Sequence, residues 1–435
     1  MTTPAASYAT HLATLQQGYE AALAAHGFDA LVLCSGTATA KNRFDDQWWP
    51  LSPTPAYSHW VPLSEPDAFV IVRPGHRPTL VRTVVDDFWE TSAPPESDHF
   101  WAGFDLVELA PGHAADALPG GKVAVITRDP HASPPGAVNP APLVAALDLL
   151  RTRKSAYEIA CLVEATARAA GGHRATAAKF AAGEPVSELG LHLTYLEASA
   201  QDDAWTPYKN IVALGAHAAV LHYIAYETRK VSGDTSLLVD AGARYLGYGS
   251  DITRTYARGT GPGARHFADL VARMDVLQLA ICARITPGKA YEDLHDEAHH
   301  LLARLLLDAG LARGSADELV ARGVTRALFP HGLGHSLGIV VHDVGMKPRP
   351  PRPENKFLRN TSVIEVGQVF TIEPGLYVID ALVAPLRAGD HAGLVDWAAL
   401  DEVRPFGGIR IEDNVVVEAR GIRNLTREAY AGAVA

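Results

Sequence analysis

A mixed α/β fold of the α+β kind, in two domains, is what this 435-residue sequence predicts. Short apolar runs ending in glycine or proline alternate with stretches of helical apolar spacing. The character of the chain shifts near Lys154, from short mixed elements to a long Ala-rich helical stretch. The length is also too great for one small core and suits two.

Residues 7 to 27 place Leu12, Leu15, Tyr19 and Leu23 at helical spacing, and D-A-L-V-L-C-S-G at 29 to 36 reads as a buried strand. A-F-V-I-V-R-P-G-H-R-P-T-L-V-R predicts two strands turning at Pro74-Gly75, and V-A-V-I-T at 123 to 127 predicts another. Residues 1–154 are therefore expected to form a small mixed α/β domain. Residues 155–435 form the second, opening on a helix that runs from about 151 to 182. Strands are expected at 211–214, 236–240 and 251–256, then helices at about 265–285 and 291–309, then further strands. M-K-P-R-P-P-R-P-E-N at 346–355 reads as a polyproline-biased surface loop.

Composition narrows the function. A net charge of −11 with both signs interspersed argues against nucleic acid or an anionic membrane as partner. The three cysteines, Cys34, Cys161 and Cys282, lie far apart and offer neither a disulfide framework nor a zinc knuckle. No signal-peptide pattern and no run of 18 apolar residues is found, so a soluble cytoplasmic protein acting on small molecules is expected.

The chemistry is expected where metal-ligand side chains recur in the last 200 residues: Asp240, Asp251, His335, Glu373 and Glu412. Asp240 and Asp251 are symmetric about Tyr245-Leu246, which predicts a hairpin with the two carboxylates as a cross-strand pair. Like charges that close need a proton or a cation between them. Arg410 and Glu412, two apart in G-G-I-R-I-E-D-N, share one strand face, and Glu373 ends the strand V-F-T-I-E before Pro374-Gly375. Four carboxylates and one imidazole, without thiolates, suit two hard divalent ions, manganese first and cobalt or zinc next. Such a pair, about 3.5–4 Å apart, can hold a bridging water, lower its pKa toward about 7 and polarise a substrate oxygen. Glu373 is then placed to act as general base and afterwards general acid.

His331 and His335 are four apart, but Gly332, Gly334 and Gly338 argue against a helix there, leaving one ligand, His335. His222 and His342 are read as outer or substrate-facing imidazoles, and Arg410 as a planar fork for a carboxylate or carbonyl. His295 and His299, four apart on an expected helix, are read as a decoy, because they lack the H-E-x-x-H order. Each residue alone has an ordinary structural reading; it is the set that points to a two-metal hydrolase.

D-A-G…D-I-T-R-T-Y, H-G-L-G-H…V-H-D, T-I-E-P-G-L-Y and G-G-I-R-I-E-D-N together resemble the metal-dependent Xaa-Pro peptidases of the pita-bread fold. The resemblance is to bacterial Xaa-Pro dipeptidases (prolidases), including the organophosphorus acid anhydrolase branch. It covers nearly the whole chain, since F-D-D-Q-W-W-P and T-P-Y-K-N-I-V-A-L also match that branch. It implies a small N-terminal domain followed by a pita-bread catalytic domain. It implies Asp240, Asp251, His335, Glu373 and Glu412 as dinuclear ligands, with Asp251 and Glu412 bridging. His222 and Arg410 are implied to hold the carboxylate of a C-terminal proline, and His342 to steady the tetrahedral intermediate. Tyr208 is implied to line the pocket, and Asp45 to reach the active site of the other subunit of a homodimer. Some organophosphorus triester hydrolysis is implied as a side reaction. An aminopeptidase acting on longer Xaa-Pro peptides and a non-catalytic pita-bread protein are the alternatives. The Pro-rich loop and the segment 381–394 carry no residue with an assigned role.

Overall fold

In the computed structural model, which describes residues 3–84, 88–89, 95–130 and 133–432, the chain divides into two compact units. One comprises residues 1–161 with 245–248, the other residues 162–244 with 249–435. The first opens on the helix Pro4–His26, whose N-cap Thr3 accepts from the Ala6 N–H and whose C-cap Gly27 adopts φ 66°. The expected strands follow at Ala30–Cys34, Phe69–Val72, Thr79–Thr83 and Val123–Ile126. They belong to a six-stranded mixed sheet with Ala30–Cys34 near its centre, antiparallel to Phe69–Val72 and parallel to Val123–Ile126. Leu31, Val32 and Leu33 are fully buried, each stabilising the sheet by roughly 1.5–3 kcal/mol relative to exposure. That burial on both faces explains a continuous apolar run in place of alternation.

The helical stretch expected from 151 is interrupted at its start. A helix Ala141–Leu150 ends there, a turn follows, and the long helix spans Ala156–Ala181. In the second unit, strands Thr235–Asp240, Thr253–Arg258 and Ile211–Leu214 form an antiparallel sheet with Thr235–Asp240 in the middle. Val369–Ile372, Asp413–Val417 and Ile422–Asn424 form another, and Gly375–Tyr377 pairs with Gly408–Arg410. A bridge between Thr253 and Glu412 links the first group to the last. Helices Pro262–Cys282 and Tyr291–Asp308 supply Phe267, Met274, Leu294 and Leu302 to a core shared with Phe370, Ile372, Ile409 and Ile411. Alternation along the strands thus sends Phe370, Ile372, Ile409 and Ile411 to the helices and leaves Thr371 and Arg410 for the opposite face.

The register of the aspartate hairpin differs from the symmetric one expected. Asp240 pairs with Thr253, not Asp251, because the chain turns at Leu246 (φ 47°) and Gly247 (φ 89°), one residue later than the Tyr245-Leu246 centre. A turn displaced by one residue shifts the register by two, so Asp251 stays on the face of Asp240 as a diagonal neighbour. Residues 346–355 are irregular apart from a 3₁₀ turn at Pro353–Asn355. Arg349 and Arg352 tie that loop to Glu292 and Asp296 of the helix Tyr291–Asp308. Within 381–394 lies a helix, Asp380–Ala388, that tolerates Pro385 in its interior. No helix among the described residues is long and apolar enough to cross a membrane.

Candidate metal centre

Asp240 is the last residue of its strand, and the ladder continues past it through Ala241 N–H to the Ile252 carbonyl. Gly242 follows because the returning strand passes too close for a side chain: a Cβ there would collide with the Ser250 carbonyl oxygen. That explains the glycine of D-A-G. The Tyr208 hydroxyl lies 2.7 Å from Asp240 Oδ1 and 2.5 Å from Asp251 Oδ1, so its single proton serves both carboxylates.

His335 is carried on an extended segment laid along Val369–Ile372. Thr371 N–H donates to the His335 carbonyl at 3.0 Å and Glu373 N–H to the Leu333 carbonyl at 2.9 Å. This is a strand in all but length, not a helix, and Gly334 is its condition, since a Cβ there would strike the Thr371 carbonyl oxygen. The pairing sets His335 Nε2 3.3 Å from Asp251 Oδ2 and 3.5 Å from Glu373 Oε1. On the remaining side, Thr253 Oγ1 donates to Glu412 Oε2 at 2.6 Å. Asp251, His335 and Glu412 each offer a ligand atom within 4.8 Å of the others.

Four carboxylates so close together, three of them buried and Glu373 half-buried, are electrostatically unfavourable on their own. Burial, aided by the neighbouring carboxylates, raises the pKa of Asp251 and holds that of Glu412 well above the carboxylate range. Burial pushes Glu373 up to about 7, against the lowering influence of His335 and Arg410. The pKa of His335 is raised by Asp251 and Glu373, which outweigh its own burial. Negative charge is thus in excess of the positive charge beside it, and hard oxygen donors surround one imidazole. That donor set fits divalent cations, and Asp240, Asp251, His335, Glu373 and Glu412 are the residues that could hold them.

Arg410 differs from the expected substrate-facing fork. It is 5 % exposed, and its guanidinium is used within the protein: Nη2 to Asp240 Oδ2 at 2.5 Å, Nη1 to the Tyr377 hydroxyl at 2.8 Å, and Nε to Thr253 Oγ1 at 3.1 Å. The Tyr377 hydroxyl, accepting from Arg410, has its own proton free for His331 Nε2 at 2.9 Å. His331 Nδ1 faces the Gly332 carbonyl at 2.9 Å and so carries the ring proton. Donation therefore runs outward from Arg410, to Asp240 on one side and through Tyr377 and His331 to the Gly332 carbonyl on the other. His331, set aside at the sequence level, therefore lies at the centre, with Nδ1 3.6 Å from Glu373 Oε2. Its spacing to His335 was the signal, discounted because the glycines rule against a helix, although an extended segment also brings it to the site.

His342 packs edge-on against His335, ring centroids 4.3 Å apart. Arg359 Nη1 lies 3.1 Å from His342 Nδ1, and a guanidinium can only donate, so Nδ1 is the acceptor and the His342 proton sits on Nε2. Arg359 is exposed, and nothing in K-F-L-R-N singles it out in the sequence. His222 is exposed. Asp45 is an exposed residue of the first unit. His295 and His299 are buried with ring centroids 4.7 Å apart, and burial holds both pKa values low, at about 3 and about 2.

Comparison with known proteins places this geometry. Residues 150–419 match metallopeptidase family M24, and residues 6–149 match the family described as Xaa-Pro dipeptidase, N-terminal domain. The chain is 44% identical over 422 residues to a Xaa-Pro dipeptidase of Marinobacter nauticus, covering 96% of this chain and 97% of that one. It is 41% identical to one of Aeromonas hydrophila, covering 97% and 98%. Among solved structures it is similar to the aminopeptidase PepP of Pseudomonas aeruginosa, with TM-score 0.73, 24% identity, and coverage of 100% and 99%. A zinc-substituted aminopeptidase P of E. coli in complex with product gives TM-score 0.72 at 23% identity, covering 96% and 97%. These structural likenesses carry the fold, a mixed N-terminal domain followed by a pita-bread domain. By near-full-length relatives and by both family matches, the chain belongs to the M24 metallopeptidases, within the family of the Xaa-Pro dipeptidases.

Proposed function

We propose that this protein hydrolyses the Xaa-Pro bond of dipeptides, using two divalent ions held by Asp240, Asp251, His335, Glu373 and Glu412. The observation that carries the reading is the convergence of that acidic donor set with His331, His342 and Arg359, cationic or hydrogen-bonding groups suited to a short peptide's carboxylate and carbonyl. When bound, the ions supply a nucleophile from water near neutral pH and polarise the scissile carbonyl. Manganese is the first choice on ligand hardness, with cobalt or zinc next.

The protein's own groups then have separable roles. Glu373, which directly follows the strand Val369–Ile372 and lies beside His335, accepts the proton of the attacking water and passes it to the proline nitrogen. His342 donates from Nε2 to the oxygen that becomes negative, its tautomer set by Arg359. His222 and Arg359 receive the proline carboxylate. Arg410, expected for that task, instead holds Asp240 and Tyr377 in place. Tyr208 orients the two aspartates and borders the pocket.

A charged carboxylate beside Arg359 favours dipeptides, because a longer substrate brings an uncharged amide to the same place. The assay that tests this compares a Xaa-Pro dipeptide with a Xaa-Pro-Yaa tripeptide on manganese-loaded enzyme. Preferential dipeptide cleavage, abolished by chelator, is expected; equal or better tripeptide cleavage makes the protein an aminopeptidase. Slow hydrolysis of organophosphorus triesters is expected as a side reaction, since tetrahedral phosphorus mimics the intermediate.

We place the protein in the cytoplasm, as a homodimer in which the first domain, residues 1–154, supplies Asp45 to the partner's pocket. Support comes from the hairpin Thr39–Ala40/Trp48–Trp49, which leaves Phe44, Trp48 and Trp49 largely exposed on either side of Asp45. Sedimentation of the full chain as a monomer at micromolar concentration removes the dimer.

A further inference from the structure

We propose that Glu188 is a positioning residue for substrate recognition: its buried carboxylate pins the segment 214–227 that presents His222. Glu188 is the first residue of the helix Glu188–Ser199 and is 1 % exposed. Its two oxygens accept four hydrogen bonds, all from that one segment. Oε1 takes the Leu214 N–H at 2.9 Å and His217 Nδ1 at 2.7 Å. Oε2 takes the Tyr223 hydroxyl at 2.7 Å and the Glu227 N–H at 2.8 Å. One carboxylate thus fills all its acceptor sites with donors from the beginning, middle and end of the loop.

Such a group is costly to bury unless fully paired, and here full pairing is achieved only when the loop is closed. The His217 and Tyr223 rings also stack, centroids 4.5 Å apart at 20°, so the two side-chain donors hold each other. His222 precedes Tyr223 directly, and its backbone is set by a neighbour whose hydroxyl is anchored. The sequence conceals this role, because a glutamate just after Ser187 reads as an ordinary first-turn acid behind an N-cap.

The inference rests on the reading that His222 meets the substrate carboxylate, and the test separates the two. Glu188→Gln preserves shape but turns one acceptor oxygen into a donor facing donors. In the manganese-loaded full chain it is expected to raise KM for a Xaa-Pro dipeptide about tenfold, with kcat within about twofold and bound manganese unchanged. His222→Ala is expected to raise KM similarly, and the double variant to be no worse than His222→Ala alone, because both changes remove one contact. If His222→Ala raises KM while Glu188→Gln does not, or if the two effects multiply, Glu188 is a structural residue only and the proposal falls. If His222→Ala leaves KM unchanged, the reading of His222 falls and takes the proposal with it. Should Glu188→Gln fail to fold, Tyr223→Phe, which deletes a single bond of the clamp, decides between the same outcomes with a smaller rise.

Discussion

Arg410 and Arg359 bring the same charge into the second unit, and their surroundings give them different partners. Arg410 is buried with its guanidinium spent on Asp240, Tyr377 and Thr253, whereas Arg359 is exposed and its guanidinium donates to the ring of His342. Arg359→Ala is expected to raise KM for Xaa-Pro dipeptides roughly 10- to 100-fold, the value of hydrogen bonds to a charged group, with a smaller change in kcat. Arg410→Ala leaves Asp240 without its ion pair, so it is expected to lower kcat and manganese affinity more than it changes KM. Steady-state kinetics with metal titration of both variants checks this, and the opposite pattern returns the carboxylate to Arg410. At this scale the candidate ligands were legible because D-A-G, H-G-L-G-H and I-E-P-G are written contiguously. Arg359 and His331 were not, since only packing shows which arginine is spent and which histidine faces Glu373.

At the scale of elements, the site depends on backbones that approach too closely for side chains. The segment 333–337 reaches Val369–Ile372 only because Gly334 has no Cβ, and that contact is what aims His335 at Asp251 and Glu373. The obstacle is strand backbone and cannot rotate away, so Gly334→Ala is expected to cost about 3 kcal/mol or more, at the upper end of overpacking effects. Urea unfolding measures it; a change within about 0.5 kcal/mol, the size of an ordinary surface substitution, would show that the segment adjusts freely. The aspartate hairpin shows how far periodicity reaches. Its strands and its shared face were legible from spacing, but the register followed the turn, and Leu246-Gly247 offers no Asn-Gly or Asp-Gly signature to mark its centre.

For the whole molecule, the cluster ties stability to pH and to metal. Glu373 has its pKa raised from 4.5 to about 7 in the folded protein, and Asp251, Glu412 and His335 are shifted in the same direction. A group whose folded pKa is raised contributes stability that is full below the unfolded value and lost as pH rises through the folded one. The chelated protein is therefore expected to lose this contribution between about pH 4.5 and 7, the window of Glu373. Thermal unfolding across that range should show a steeper fall for the chelated wild type than for chelated Glu373→Gln, which has no proton to lose. Manganese should raise Tm most at the upper end, where the uncompensated charge is greatest. Parallel profiles for the two chelated proteins would mean that Glu373 does not titrate in this range.

The sequence by itself determined the mixed α+β class and the main strands and helices around the site, and it singled out five candidate metal ligands, because apolar period and ligand chemistry are local properties of the chain. Only the tertiary structure decided the hairpin register, the burial of Arg410, the exposure of Arg359, the place of His331 and the clamp at Glu188. Each of these depends on which groups meet across long separations in sequence. A charged side chain's role follows from the partners and the solvent it meets there, and neither is written beside it in the chain.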